Sequence, residues 1–264
     1  MEKNINDLKV FLSGSNNLKP IVFIHGFPYD HLMWKDQIEY FSKYYLCVSY
    51  DIRGLGKSPA GDGQFTMEAF VDDLEKIVDE LNLEKPILCG LSMGGYISLR
   101  AMERFQSKFS ALILCDTKSE ADNNEGKLKR ATAIKQINSG GFDEFIEAFV
   151  LNCFGEMFVK DNSTQYKKVV DRSKKNNPIG AKGCLLAMLG RTDTTATLPK
   201  IKIPTLVIGG SEDNLTPPDV MMSMADKIPN AKFVLVEKAG HMTPIENPNA
   251  VNKAIKDFLT KNNL

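Results

Sequence analysis

Ser92 sits in the middle of Gly90-Leu-Ser-Met-Gly94. This G-x-S-x-G run follows an apolar stretch at 86–89 and precedes a helix-compatible stretch at 95–105. The pattern suits a serine nucleophile presented on a sharp strand-to-helix turn, where the serine takes a strained backbone conformation and side chains at 90 or 94 would strike neighbouring backbone. The helix start behind it favours developing negative charge. A serine hydroxyl needs a base, and the chain has only three histidines, His25, His31 and His241. His241 lies in Ala239-Gly-His-Met, just past the apolar run 232–236, and a loop fed by a strand is where a base on a rigid scaffold belongs. The chemistry these two residues allow is acyl transfer through a covalent serine intermediate.

An orienting carboxylate is expected between nucleophile and base in chain order. Asp213 meets that requirement in Gly209-Gly-Ser-Glu-Asp, after the apolar run 204–208. Asp116 is its rival, because it ends the apolar run 111–115. Asp213 is preferred, since its two preceding glycines give the loop freedom to aim it, whereas Asp116 opens the next segment. An oxyanion needs two backbone N–H groups. Met93, next after the nucleophile, supplies one. Phe27 in His25-Gly-Phe-Pro28 supplies the other, because Pro28 has no N–H. His25 then braces this loop and is not a second base.

The elements that must hold these residues are short. Continuously apolar, β-branched runs recur at 20–24, 45–50, 86–89, 111–115, 204–208 and 232–236. Such runs fit strands covered on both faces, as in a parallel sheet between helices. Residues 7–12 add an edge strand. Met67, Phe70, Val71, Leu74, Ile77, Val78 and Leu81 trace one helical face behind a Thr66 cap. Thr216-Pro-Pro-Asp219 and Asn247-Pro248 open two later helices. Between about 118 and 200 the strand rhythm stops, and helix-like pieces fall near 126–138, 142–153, 164–175 and 180–189. The expected organisation is an α/β core, 1–117 with 201–264, and a helical cap, 118–200, inserted on the carboxyl side of the sheet, where open α/β sheets bind ligands. Trp34, Phe154, Met188 and Met242 are candidates to line an acyl pocket, and Arg191 and Lys118 are candidate partners for an anionic substrate.

Composition narrows the field further. The 264 residues are 43% hydrophobic and 25% charged, ordinary globular values that exclude a disordered or disulfide-scaffold chain. Lys+Arg and Asp+Glu are both 33, so nothing favours a nucleic acid or an anionic membrane surface as partner. No apolar run is long enough to span a bilayer, and the first residues lack a signal-peptide core. Five scattered cysteines without metal-type spacing fit a reducing, cytoplasmic setting. No metal or organic cofactor is expected. The expected partner is a small molecule, with a homo-oligomer open.

His25-Gly-Phe-Pro28, Asp51-Ile-Arg-Gly-Leu-Gly-Lys-Ser58, Gly90-Leu-Ser-Met-Gly-Gly95, Asp213 in its Gly-Gly-Ser-Glu-Asp loop and Gly240-His241 together resemble the α/β-hydrolase superfamily over nearly the whole chain. Within it, the chain is similar to the branch of carboxylesterases, 3-oxoadipate enol-lactonases and cofactor-free haloperoxidases. The resemblance implies a mostly parallel sheet with helices on both faces, and first strands that are abbreviated here by the short segment before Pro20. It implies a Ser92–His241–Asp213 triad acting on esters or lactones. Dehalogenases and epoxide hydrolases of this fold carry Asp at the nucleophile position, and Ser92 argues against both. Two other uses of the fold stay open: a ligand receptor with slow turnover, and a C–C bond hydrolase with the same triad.

Overall fold

A computed structural model describes all of residues 1–264. Eight strands form one sheet: β1 (Glu2–Ile5), β2 (Leu8–Ser13), β3 (Pro20–Ile24), β4 (Leu46–Tyr50), β5 (Ile87–Leu91), β6 (Ala111–Cys115), β7 (Thr205–Gly210) and β8 (Ala231–Val236). Their order is β1-β2-β4-β3-β5-β6-β7-β8. The β1·β2 and β2·β4 pairs are antiparallel, and every pair from β4 to β8 is parallel. Eleven α-helices accompany the sheet: α1 (Lys35–Phe41), α2 (Met67–Glu80), α3 (Met93–Phe105), α4 (Asn124–Asn138), α5 (Phe142–Leu151), α6 (Glu156–Asp161), α7 (Ser163–Ser173), α8 (Pro178–Leu189), α9 (Pro218–Asp226), α10 (Thr243–Glu246) and α11 (Pro248–Lys261).

Every residue of β3, β4, β5, β6 and β7 is buried, as their unbroken apolar runs require. β8 is also mostly apolar but carries Lys232, and only Val236 of its six residues is fully buried, because it ends the sheet and has a neighbour on one side only. The first strands are not abbreviated. Asn6 and Asp7, both at positive φ (49° and 64°), turn β1 into β2 as a two-residue hairpin loop. The expected edge strand over 7–12 is therefore the second strand of the sheet, with Leu8, Val10 and Leu12 on its buried face.

Helices α4 to α8 all lie between β6 and β7, followed by a 3₁₀ turn at Thr195–Lys200. One apolar cluster runs through the sheet and these helices alike, including Phe145, Phe158, Val169 and Leu185. The helical segment is fastened to the loops above the sheet at close quarters. A Cβ on Gly180 would lie 2.0 Å from the Gly54 carbonyl oxygen, so the two backbones touch. The Asn176 side chain donates to the Pro28 carbonyl (2.6 Å) and accepts from the Gly56 amide (2.8 Å). No helix is long and apolar enough to cross a membrane.

Candidate active site

Ser92 links β5 to α3 with φ 52° and ψ −114°, a conformation L-residues avoid. The flanking glycines are required by contact: a Cβ on Gly90 would meet the Gly94 carbonyl oxygen at 2.4 Å, and one on Gly94 would meet the Ile24 carbonyl oxygen at 2.2 Å. Ser92 N donates to Cys115 O (3.0 Å), and Thr117 Oγ1 donates to Ser92 O (2.8 Å), so β6 pins the turn from one side. The loop after β3 presses from the other, where a Cβ on Gly26 would lie 3.2 Å from Ser92 Cβ. Phe27, next in that loop, is therefore held beside the turn. Its amide donates to no acceptor in the chain. Met93 opens α3, and the first amides of a helix lack intrahelical acceptors.

The other two sequence candidates meet at the ends of β7 and β8, on the same carboxyl edge of the sheet. Asp213 Oδ2 lies 2.8 Å from His241 Nδ1. Asp213 is further held by the amides of Leu215 (2.8 Å) and Thr216 (2.9 Å) on Oδ1 and by the Thr216 hydroxyl (2.5 Å) on Oδ2. Both residues are buried. Burial pushes the Asp213 carboxyl up, but the His241 charge and the hydrogen bonds from His241 and Thr216 overcome it and hold the carboxyl below its ordinary range. Thr216 belongs to this site and not to a helix cap: the cap position of α9 is Pro217, which has no side-chain acceptor, and the Thr216 hydroxyl faces Asp213.

Asp116, the rival carboxylate, makes no bond to His241. Its Oδ1 accepts from Gly210 N (3.1 Å), and its Oδ2 accepts from Thr243 N (3.2 Å) and the Thr243 hydroxyl (2.6 Å). It braces the end of β7 against the residues that follow His241. Complete burial, and then the nearby Asp213 charge, push its carboxyl well above the ordinary value. His25 is also fully buried. Its Nε2 accepts from Ile52 N (2.8 Å) and its Nδ1 lies 2.8 Å from Gly26 O, which fixes one neutral tautomer, and burial depresses its pKa. His31 pairs with Asp51 at 2.7 Å and stacks on Phe11.

The apolar candidates scatter. Phe154 lines a groove of about 620 Å³ with Gly155, Glu212 and Leu215, beside the Asp213 loop. Met188 is 3% exposed and touches Arg130 through its sulfur. Trp34 and Met242 have no exposed surface, and Trp34 packs on Phe23 of β3 inside the core. Arg191 is not free for an anion: its guanidinium bonds Asp122 (2.7 Å) and stacks on Tyr96 at 4.0 Å. Two aromatic neighbours of the site escaped the sequence reading. Phe145 and Phe149 of α5 meet the Phe27 ring, at centroid distances of 6.3 and 5.3 Å. Their i, i+4 spacing on a helix was the available signal.

The family model described as alpha/beta hydrolase fold matches residues 19–248. A thermophilic esterase from Thermogutta terrifontis superposes over 100% of both chains with a TM-score of 0.94 and 32% identity. The enol-lactonase of Burkholderia xenovorans aligns with 98% of this chain and 100% of its own, with a TM-score of 0.90 and 26% identity. In sequence, 3-oxoadipate enol-lactonase 1 of Acinetobacter baylyi is 27% identical over 252 residues, spanning 96% of this chain and 92% of its own.

Proposed function

Because this chain belongs to the α/β-hydrolase fold family, we propose that it is a serine hydrolase that cleaves carboxylic esters or lactones through an acyl-enzyme. The observation that carries the reading is the 2.8 Å Asp213–His241 pair on the same sheet edge as the strained turn bearing Ser92. The names of an esterase and two enol-lactonases among similar proteins support the same substrate class.

In this mechanism the Asp213 carboxylate accepts a hydrogen bond from the His241 Nδ1–H, which keeps the proton on Nδ1 and leaves Nε2 as a lone-pair base. Nε2 takes the Ser92 proton as the hydroxyl oxygen attacks the carbonyl carbon. The amides of Phe27 and Met93 receive the oxyanion, and the imidazolium then protonates the leaving alcohol or the opened lactone oxygen. Water, deprotonated by His241, attacks the acyl-enzyme and restores Ser92. Thr216 keeps the Asp213 carboxylate ionised and aimed. The segment 118–200 acts as a cap: α5 lays Phe145 and Phe149 against Phe27, so the acyl pocket is apolar and its length is set by cap side chains, Phe154 among them.

The test is a panel of p-nitrophenyl esters and lactones of graded chain length, with Ser92→Ala as control. The reading expects hydrolysis of at least one class, lost by roughly 10³-fold or more in the variant. Equal rates in both proteins, or turnover of diketones alone, reject it.

A further inference from the structure

The carboxylate of Glu246 sits where no sequence pattern required one. It ends α10, five residues past His241, and forms no ion pair. Its Oε1 accepts from Gly240 N (3.0 Å) and Met242 N (3.1 Å), the amides of the two residues that flank His241. Its Oε2 accepts from Gly155 N (2.8 Å), in the turn between α5 and α6. His241 adds a bond of its own to that turn, from its amide to Cys153 O (2.8 Å). Contact is so close that a Cβ on Gly240 would lie 2.6 Å from Gly155 N, and one on Gly155 would lie 2.7 Å from Glu212 Oε2. Behind the loop, a Cβ on Gly210 would meet Gly240 O at 2.1 Å.

We infer that Glu246 is a positioning residue for the base: one carboxylate joins both sides of His241 to the cap turn at Gly155, so the cap and the imidazole move as one body. The inference rests on the hydrolase reading above, because it assigns Glu246 a task only if His241 is the base. Three N–H donors converge on two oxygens, and only a carboxylate satisfies them all. The surroundings bear out a demanding site: burial pushes the Glu246 carboxyl above its ordinary value despite the bonds from Gly240, Gly155 and Met242 and the charge of His241. The glutamate is held here against its solvation preference by backbone geometry, and that geometry is the base's own.

Glu246→Gln keeps the shape and loses the function. Its amide nitrogen must face either Gly155 N–H or the Gly240 and Met242 pair, donor against donor, so the clamp opens on one side. Displacing a catalytic group by a fraction of an ångström costs on the order of 10-fold or more in rate.

The experiment follows covalent labelling of Ser92 by a fluorophosphonate, which needs the base but no natural substrate, together with kcat and KM for p-nitrophenyl acetate. The expected result for Glu246→Gln is a labelling rate constant and a kcat lowered by on the order of 10-fold, full labelling at the end point, and a KM unchanged within about twofold. Val251→Ala, a buried α11 change that removes none of the clamp's hydrogen bonds, supplies a variant of lowered stability whose labelling rate should stay at the wild-type value. Should Glu246→Gln not fold, Glu246→Asp, which keeps the charge but is too short to hold both sides, is expected to slow labelling likewise. A wild-type labelling rate in the Glu246 variants, or an equal slowing in Val251→Ala, overturns the inference. Wild-type protein that never labels at Ser92 overturns the hydrolase reading, and this one with it.

Discussion

Asp213→Asn replaces one atom and should nearly silence the enzyme. Asp213 accepts four hydrogen bonds: Oδ1 serves Leu215 N and Thr216 N, and Oδ2 serves the Thr216 hydroxyl and His241 Nδ1. An asparagine has one acceptor oxygen. With that oxygen facing the two amides, its NH₂ points at His241 and donates to Nδ1. The imidazole must then carry its proton on Nε2, the atom that the proposed mechanism assigns to accept the Ser92 proton. This is a wrong-tautomer defect, and in a triad of this kind it costs about 10⁴ in kcat. At 1.36 kcal/mol per decade, that is about 5 kcal/mol of transition-state stabilisation. Asp116→Asn is the paired control. Its bonds to Gly210 and Thr243 brace the loop but do not touch the imidazole, so its kcat should fall by less than about 10-fold. The assay is p-nitrophenyl acetate hydrolysis at neutral pH with both variants checked by circular dichroism. The reverse ranking in folded proteins would refute the reasoning and move the acid to Asp116.

Gly94→Ala should destabilise the fold by about 3 kcal/mol, the upper end for overpacking, because its Cβ would stand 2.2 Å from the Ile24 carbonyl oxygen. Thermal melting reads it, and an unchanged midpoint would contradict the packing described. Stability should also carry the signature of Asp213. Its carboxyl is held below the ordinary value in the folded state, so its contribution is fully present above the unfolded carboxylate pKa of ~3.9 and is lost as pH falls below that. The gap in urea midpoint between wild type and Asp213→Asn should therefore narrow with acidification, and a gap that widens contradicts the pairing. Phe149→Ala opens space against Phe27 and should shift the preferred acyl chain longer by about one or two carbons, at ~0.8 kcal/mol per methylene buried. A chain-length profile identical to wild type would remove α5 from the pocket.

Much of the scaffold was legible because burial on both faces writes unbroken apolar runs, and β3 to β7 are such strands. The elbow was legible for a harder reason: Gly90 and Gly94 are there because no side chain fits. What escaped followed different rules. β1 is three-quarters exposed and carries Glu, Lys and Asn, so its sequence looks like a tail, and only the Asn6-Asp7 turn hints at the hairpin. Trp34 reads as a pocket aromatic by type, yet it packs wholly inside the core. Arg191 reads as a free cation until Asp122 appears beside it, and that pairing joins residues 69 positions apart. Thr216 looks like a helix cap because it precedes two prolines, but its hydroxyl is drawn to a carboxylate three residues back. Glu246 is unremarkable in sequence, because what makes it necessary is three backbone amides brought together from two distant segments. Periodicity reports burial, and it is silent on who faces whom.

The central claim, a covalent acyl-serine at position 92, is tested most directly by mixing stoichiometric enzyme with p-nitrophenyl acetate on the millisecond scale. Nitrophenol release and the mass of the quenched protein are read together. The account predicts a burst of one nitrophenol per active chain, an added acetyl group on the peptide containing Ser92, and neither signal in Ser92→Ala. Steady release with no burst and no adduct at any quench time, or an acetyl group carried by another residue, would contradict it.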